Sequence, residues 1–432
     1  MDMAMRVFLF FAGGMLLLSC GRGGLEHGDA GDAVDSTDAI DSWDDISRDD
    51  SSSERENDAA PGDGDLIEDQ FLADCNVLIR DCGPGCRQVT CAASPHNLMW
   101  DIWGSTIVYF SCFIEYPGCD FGHYTLYRKD LNTNEENVIF SYSDLNSYPW
   151  WQFAMYEDKI VHSLHRDFDE EVDCLISLQL FSLSSNTESE LNCFYDDTTK
   201  FGNVDSVDIF GSMVVWSGDD TNPNPDWSPL DDVYTMDLVT MEKRNVTKDL
   251  REMGLYGGYG AKIWGRNVVF YNGDIFLIDL DTMNVRNLTD HPSDQWEPDI
   301  WEDGVVWTDL RNGSGDIVSP HNSDIYWCEL PDCVPEAATT NWASQEMPTI
   351  GGDWIAWIDY RNDVNPVDPA SSYHTNLEIW GYNVATGQEH QLVAFENTTL
   401  WRIIRIENNK LYFPGPVEYG VGAIFEVDLS QF

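Results

Sequence analysis

The sequence predicts an all-β chain: a seven-bladed β-propeller with four-stranded blades, closed by an N-terminal strand that completes the last blade. Three observations predict it. A two-strand unit recurs seven times beyond residue 95, each copy is followed by a third strand and a turn, and the array starts and stops one strand out of phase. Trp, Ile, Val and Tyr in period-two alternation favour strand over helix. Four strands per repeat is the signature of a propeller blade.

The unit is clearest at residues 297–307, EPDIWEDGVVW: a short apolar strand, a tight turn, and a second strand ending in an aromatic. It recurs as LMWDIWGSTIVYF (98–110), WQFAMYEDKIVHS (151–163), VDSVDIFGSMVVW (204–216), YGAKIWGRNVVF (259–270), EMPTIGGDWIAW (346–357) and WRIIRIENNKLYF (401–413). Third strands follow, such as DVYTMDLVT from Asp232 and DIFLIDLDT from Asp274, and then short fourth strands, RNVT at Arg244, RNLT at Arg286 and HQLV at His390. The seventh unit ends in GAIFEVDLSQF (422–432) with no fourth strand, whereas RQVT at Arg87 is an orphan copy of one. Joining the two closes the ring and leaves no strand edge unpaired.

Ahead of the array, residues 1–20 read as a lipoprotein signal peptide: Arg6, then an apolar run over 7–18 that is too short to span a bilayer. The ending Leu17-Leu18-Ser19-Cys20 resembles the bacterial lipobox, in which the cysteine is diacylated, so Cys20 is the expected lipidation site. Gly21 after it favours the outer membrane or the cell surface. Residues 21–71 are Asp, Ser, Gly and Glu with hardly any large apolar side chain, and predict an acidic disordered linker. Residues 72–94 form a cysteine-rich segment with the closing strand, and residues 95–432 the propeller domain.

Of 11 cysteines, ten remain besides Cys20, an even number in an exported chain, which predicts disulfides rather than a metal cluster. Cys112 with Cys119, Cys174 with Cys193, and Cys328 with Cys333 are close enough to be local staples. Cys75, Cys82, Cys86 and Cys91 allow three pairings, and no His follows them at the spacing of a zinc knuckle.

Charge excludes a class of partner. With 76 acidic against 23 basic side chains and a formal net charge of −53, the surface repels phosphate backbones and argues against nucleic acid. Catalytic signatures are missing too: no Gly-x-Ser-x-Gly elbow, His-Glu-x-x-His or glycine-rich phosphate loop occurs. His162 and His165, across a strand end, are the candidates for a metal or a base.

This strand order sends the loops between second and third strands, and the blade connections, to one face of the disc. There lie the long polar segments 115–123, 165–173, 218–232, 309–324 and 359–376, on the face expected to bind. Asp220, Asn222, Asn224 and Asp226 alternate there, with Asp231 five positions on, a spacing of oxygens that suits calcium, although Pro225 stands where an EF-hand loop needs glycine. Asp363, Asn365 and Asp368 form a weaker parallel. Asp309, Arg311 and Asn312, like Asp359, Arg361 and Asn362, either belong to the binding face or brace a loop by ion pairs. Trp227 in a polar loop offers a ring for a sugar or peptide, while Trp216, Trp264, Trp307 and Trp357 should be inter-blade core.

The segments VVWTDLRNGSGDI (305–317) and IAWIDYRND (355–363) resemble repeats of the TolB-like propeller family, and the resemblance covers about residues 95–432. It implies a ring-shaped scaffold that binds partners rather than catalysing reactions; the Asp-Arg-Asn motif is good in only two units. The expected function is that of a monomeric, lipid-anchored extracytoplasmic lipoprotein without enzymatic activity. Its acidic loop-rich face would bind a protein or glycan of the cell envelope, with no cofactor unless calcium. The alternative is a secreted hydrolase or lyase using the central funnel. His, Asp and Arg converging at the axis would favour the enzyme, and an apolar axis the binder.

Overall fold

The computed structural model describes residues 85–90, 99–112, 124–142, 147–166, 174, 176–195, 203–218, 231–248, 250, 257–313, 322–363, 366, 376–394, 403–416 and 422–432. They form seven four-stranded antiparallel sheets, the blades of a seven-bladed β-propeller. In six blades the strands pair in sequence order. The seventh runs Arg405–Glu407, Lys410–Pro416, Gly422–Asp428 and then Cys86–Gln88, so the predicted N-terminal strand does complete it. Gln88 lies opposite Phe425 and Arg87 opposite Glu426. Arg87 Nε donates to Glu426 Oε1 at 2.6 Å, and the Ile424 amide donates to Thr90 Oγ1 at 2.9 Å.

The innermost strands are Trp100–Trp103, Ser147–Tyr156, Val204–Phe210, Tyr259–Trp264, Gln295–Trp301, Gln345–Gly351 and Arg405–Glu407. Each adjoins the innermost strand of the next blade, and the last adjoins the first. Strand alternation gives every blade two faces, and both are buried against neighbours. The hydrophobic clusters accordingly lie between blades. Phe110 and Phe153 meet between the first and second, Trp216 and Val207 pack with Val161 between the second and third, and Val233 packs with Phe270 between the third and fourth. Val269 with Trp307, Val306 with Trp357, and Ile358 with Phe413 continue the circuit. Val89, Trp100, Tyr412 and Ile424 then pack the seventh blade against the first. Trp216, Trp307 and Trp357 are fully buried as expected, whereas Trp264 is half-buried and serves differently.

The first hairpin of every blade turns through a left-handed residue: Gly104, Glu157, Gly211, Gly265, Glu302, Gly352 and Asn408 all have φ between 51° and 64°. Glycine reaches that conformation at no steric cost, which explains its recurrence after the inner strand. Cys174–Cys193 and Cys328–Cys333 are disulfides, and Cys86 is disulfide-bonded. Cys112 ends a strand. Cys20, Cys75, Cys82, Cys91 and Cys119, with the signal peptide and linker, lie outside the described residues.

Candidate functional site

Two positions of the innermost strands carry the chemistry nearest the axis. Two residues before each strand's end stand Asp101, Ala154, Asp208, Lys262, Asp299, Thr349 and Arg405. At the ends themselves stand Trp103, Tyr156, Phe210, Trp264, Trp301, Gly351 and Glu407.

Each aspartate of the first set binds backbone or hydroxyl groups across a blade boundary. Asp101 accepts from its neighbour Ile102 N at 2.9 Å and from Met155 N of the second blade at 2.8 Å. Asp208 accepts from Ile209 N and Ile263 N, both at 2.9 Å. Asp299 accepts from Thr349 Oγ1 at 2.9 Å and Ile350 N at 3.2 Å. Arg405 Nε donates to Asp101 Oδ1 at 3.2 Å and so ties the seventh blade to the first. Desolvation raises the Asp208 pKa, with Lys262 opposing it. Desolvation also works against the Arg405 charge, but Asp101, Asp299 and Asp208 outweigh it and hold the guanidinium above its usual pKa. These carboxylates are therefore ring staples, each filled by at least one backbone amide that cannot leave without unfolding a strand.

The second set forms an arc of stacked rings. Trp103 lies 4.1 Å from Tyr156, Tyr156 4.8 Å from Phe210, Phe210 4.7 Å from Trp264, and Trp264 4.0 Å from Trp301, centroid to centroid. Five blades are thus linked ring to ring. The arc stops at the sixth because a Cβ on Gly351 would stand 2.7 Å from Ile406 Cγ2. At the seventh, Glu407 accepts from Gly104 N at 3.0 Å instead. Neither set was singled out from the sequence, although Asp or a cation two residues before an aromatic recurs in the inner strands.

On the long-loop face the Asp-Arg-Asn motif resolves into a clamp. Asp309 is fully buried; its Oδ2 accepts from Trp307 Nε1 at 2.9 Å and from Arg311 at 2.7 Å. Arg311 lies 4.1 Å over the Tyr326 ring, and Asn312 donates to Asp324 at 2.9 Å. The next blade repeats this: Asp359 holds Trp357 Nε1 and Arg361, Arg361 lies 3.5 Å over Trp380, and Asn362 donates to Glu378. Of the two roles weighed for the motif, bracing is the one this geometry provides, and neither buried aspartate can meet a ligand on the face. Buried Asp324 is pushed up to about 7 by desolvation and by Asp309 across the strand pair, although Asn312 and Arg311 counter the shift.

Asp231 is buried, and its carbonyl accepts from Gly258 N; Asp220, Asn222, Asn224, Asp226 and Trp227 lie outside the described residues. His162 and His165 are corrected: being three apart on the strand Lys159–Arg166, they point to opposite faces of the sheet and cannot converge on one metal. His162 is fully buried with Nε2 3.0 Å from Glu188 Oε1, which also accepts from the Tyr142 hydroxyl. Burial lowers the His165 pKa to about 4. Among the described residues, no three His, Cys, Asp or Glu side chains form a group that could hold a metal.

No protein-family model and no curated protein matches the chain. Solved structures do. An oligogalacturonate lyase from Vibrio parahaemolyticus is 13% identical with a TM-score of 0.52, over 79% of this chain and 93% of that one. The β-propeller domain of the Trilobed protease from Pyrococcus furiosus is 9% identical with a TM-score of 0.50, over 76% and 93%, and is described as having an open velcro topology. TolB from Acinetobacter baumannii is 15% identical with a TM-score of 0.36, over 75% and 63%. The first two likenesses show a shared propeller fold and nothing beyond it.

Proposed function

We propose that this chain is a lipid-anchored, extracytoplasmic binding scaffold, whose propeller presents its long-loop face to a glycan or protein of the cell envelope and catalyses no reaction. The observation that supports this most is the occupation of the acidic groups. Asp101, Asp208, Asp299, Asp309 and Asp359 all accept bonds from backbone, indole, hydroxyl or guanidinium donors within the ring. A general acid or base must be able to exchange its proton with a bound molecule. Carboxylates held this way instead stiffen a frame, and a stiff frame with long polar loops on one side suits recognition.

A lyase or hydrolase working in the funnel is the second reading. Asp101, Asp208, Lys262, Asp299 and Arg405 do bring both charges to the innermost strands, as an enzyme would require. One experiment separates the readings: incubate the full chain with oligogalacturonate and follow the ultraviolet absorbance of unsaturated products, then test retention of envelope proteins and polysaccharides on the immobilised chain. Turnover by the full chain that disappears in Arg405→Lys, with the melting temperature unchanged, would establish the enzyme. Specific retention without turnover supports the scaffold. For the anchor, metabolic labelling with an alkynyl fatty acid should mark the wild type and not Cys20→Ala.

A further inference from the structure

We infer that Trp342 is a stacking platform for a neutral sugar ring, the glycan-binding point of the face proposed above, and this assignment rests on that reading. Trp342 lies in the connection from the fifth blade to the sixth and is 62% exposed, in a chain whose other described tryptophans are mostly buried or half-buried. By strand order this connection emerges on the long-loop face.

The loop beneath it is fixed from three sides. With its amide nitrogen turned to the carbonyls it faces, Asn322 reaches Asn341 O at 2.9 Å, Trp342 O at 3.0 Å and Ala343 O at 2.7 Å. Asn341 Oδ1 accepts from Ala343 N, and Gln345 Nε2 donates to Ala343 O. Ser344 N donates to Pro366 O at 2.7 Å, and Ala343 and Ser344 are fully buried. A ring held on such a loop loses little freedom on binding, which is the usual cost of an exposed contact residue.

The loop's geometry does not demand that tryptophan. The connection from the fourth blade to the fifth shares two of these bonds: His291 Nδ1 accepts from Ser293 N, and Gln295 Nε2 donates to the Ser293 carbonyl. At the apex, where one loop carries Trp342, the other carries exposed Pro292. An indole placed in water at a position that tolerates proline points to a use outside the fold.

The surroundings select the ligand class. The other strongly exposed large apolar side chains among the described residues, Val138, Val239, Met241, Met283 and Val334, lie on an outer strand or in turns between third and fourth strands, which emerge on the opposite face. Among the described residues Trp342 is thus a single exposed ring, flanked in sequence by Thr340 and Asn341 and without the apolar surround of a protein hot spot. The C–H face of a pyranose fits one indole, and its hydroxyls bond the hydroxyl and amide groups beside it. A net charge of −53 disfavours uronates and other anionic sugars.

The test is isothermal titration of the full chain with neutral gluco-, galacto- and manno-oligosaccharides and with oligogalacturonate, comparing wild type, Trp342→Ala and Trp342→Phe. The expected result is binding of at least one neutral sugar, weakened roughly tenfold in Trp342→Ala and partly kept in Trp342→Phe, with unchanged melting temperatures because the loop is held through its backbone. Binding of no neutral sugar, equal binding by Trp342→Ala, or binding of oligogalacturonate alone overturns the assignment. If Trp342→Ala instead abolishes retention of an envelope protein, the platform is wrong while the scaffold survives. If the wild type retains neither sugar nor protein, both fail.

Discussion

Asp324 begins the third strand of its blade with a shortage of donors. In the two preceding blades the equivalent aspartates, Asp232 and Asp274, each accept from the Asn amide that ends the fourth strand and from a Thr hydroxyl two residues on. In the fifth blade Ala337 stands where those blades have asparagine, Asn312 supplies one bond, and Asp324 Oδ1 is buried with no hydrogen-bond partner among the described residues. A carboxyl whose folded pKa is raised from 3.8 to about 7 binds its proton more tightly in the folded state. Its contribution is therefore fully present below about pH 4 and declines as pH rises to about 7, by a few kcal/mol at most. Asp324→Asn should flatten that decline and be the more stable protein at pH 8. Urea midpoints measured across pH 4 to 8 for both proteins check it; parallel curves would mean that Asp324 is ionised like any surface acid. Asp101 makes the converse case. It accepts two backbone amides and the Arg405 guanidinium, so Asp101→Ala should cost about 3 kcal/mol by leaving buried donors unpaired. Equilibrium urea unfolding reads that loss directly.

At the scale of single elements, hairpins show what a sequence reveals. The strands were legible because alternation is local, and the turn residues because glycine recurs at one offset from the inner-strand aromatic. Glu157 and Glu302 occupy that same left-handed position without glycine's freedom. Glu302 is exposed on its turn, so Glu302→Gly should stabilise the protein by about 1 kcal/mol, seen as a higher urea midpoint. A lower midpoint would show that chain entropy outweighs the strain. The staples were hidden because they join residues some fifty positions apart: Asp101 to Met155, Asp208 to Ile263, Asp299 to Ile350. Nothing local distinguishes an aspartate that bridges blades from one that faces water. The Asp-Arg-Asn motif was visible as a motif, and Trp307 and Trp357 two residues before each aspartate were the signal that it points inward. Trp342 was not legible as a surface ring because its neighbours in sequence resemble those of many tryptophans, and only burial separates one that fills a core from one left in solvent.

Across the described blades, stability is distributed around a circle in which each blade packs mainly on its neighbours, and one three-residue strand joins the two ends. Val89, following that strand, is buried in the cluster between the seventh and first blades, and its amide donates to Ile424 O at 2.8 Å. Placing a charge there by Val89→Asp should cost several kcal/mol unless the strand detaches, and detachment exposes the seventh blade's outer edge. In an array with nearest-neighbour coupling, the damage should spread inward from the seam. Hydrogen exchange followed by mass spectrometry is expected to show the strands Lys410–Pro416, Gly422–Asp428 and Thr106–Cys112 losing protection first. Asn267–Asn272 and Gly304–Asp309, on the far side of the ring, should keep theirs. Uniform loss would mean that the seven blades unfold as one cooperative unit, with closure contributing no more than any other interface. No loss would mean that the inter-blade clusters and the Arg405 to Asp101 bond hold the seam without the closing strand.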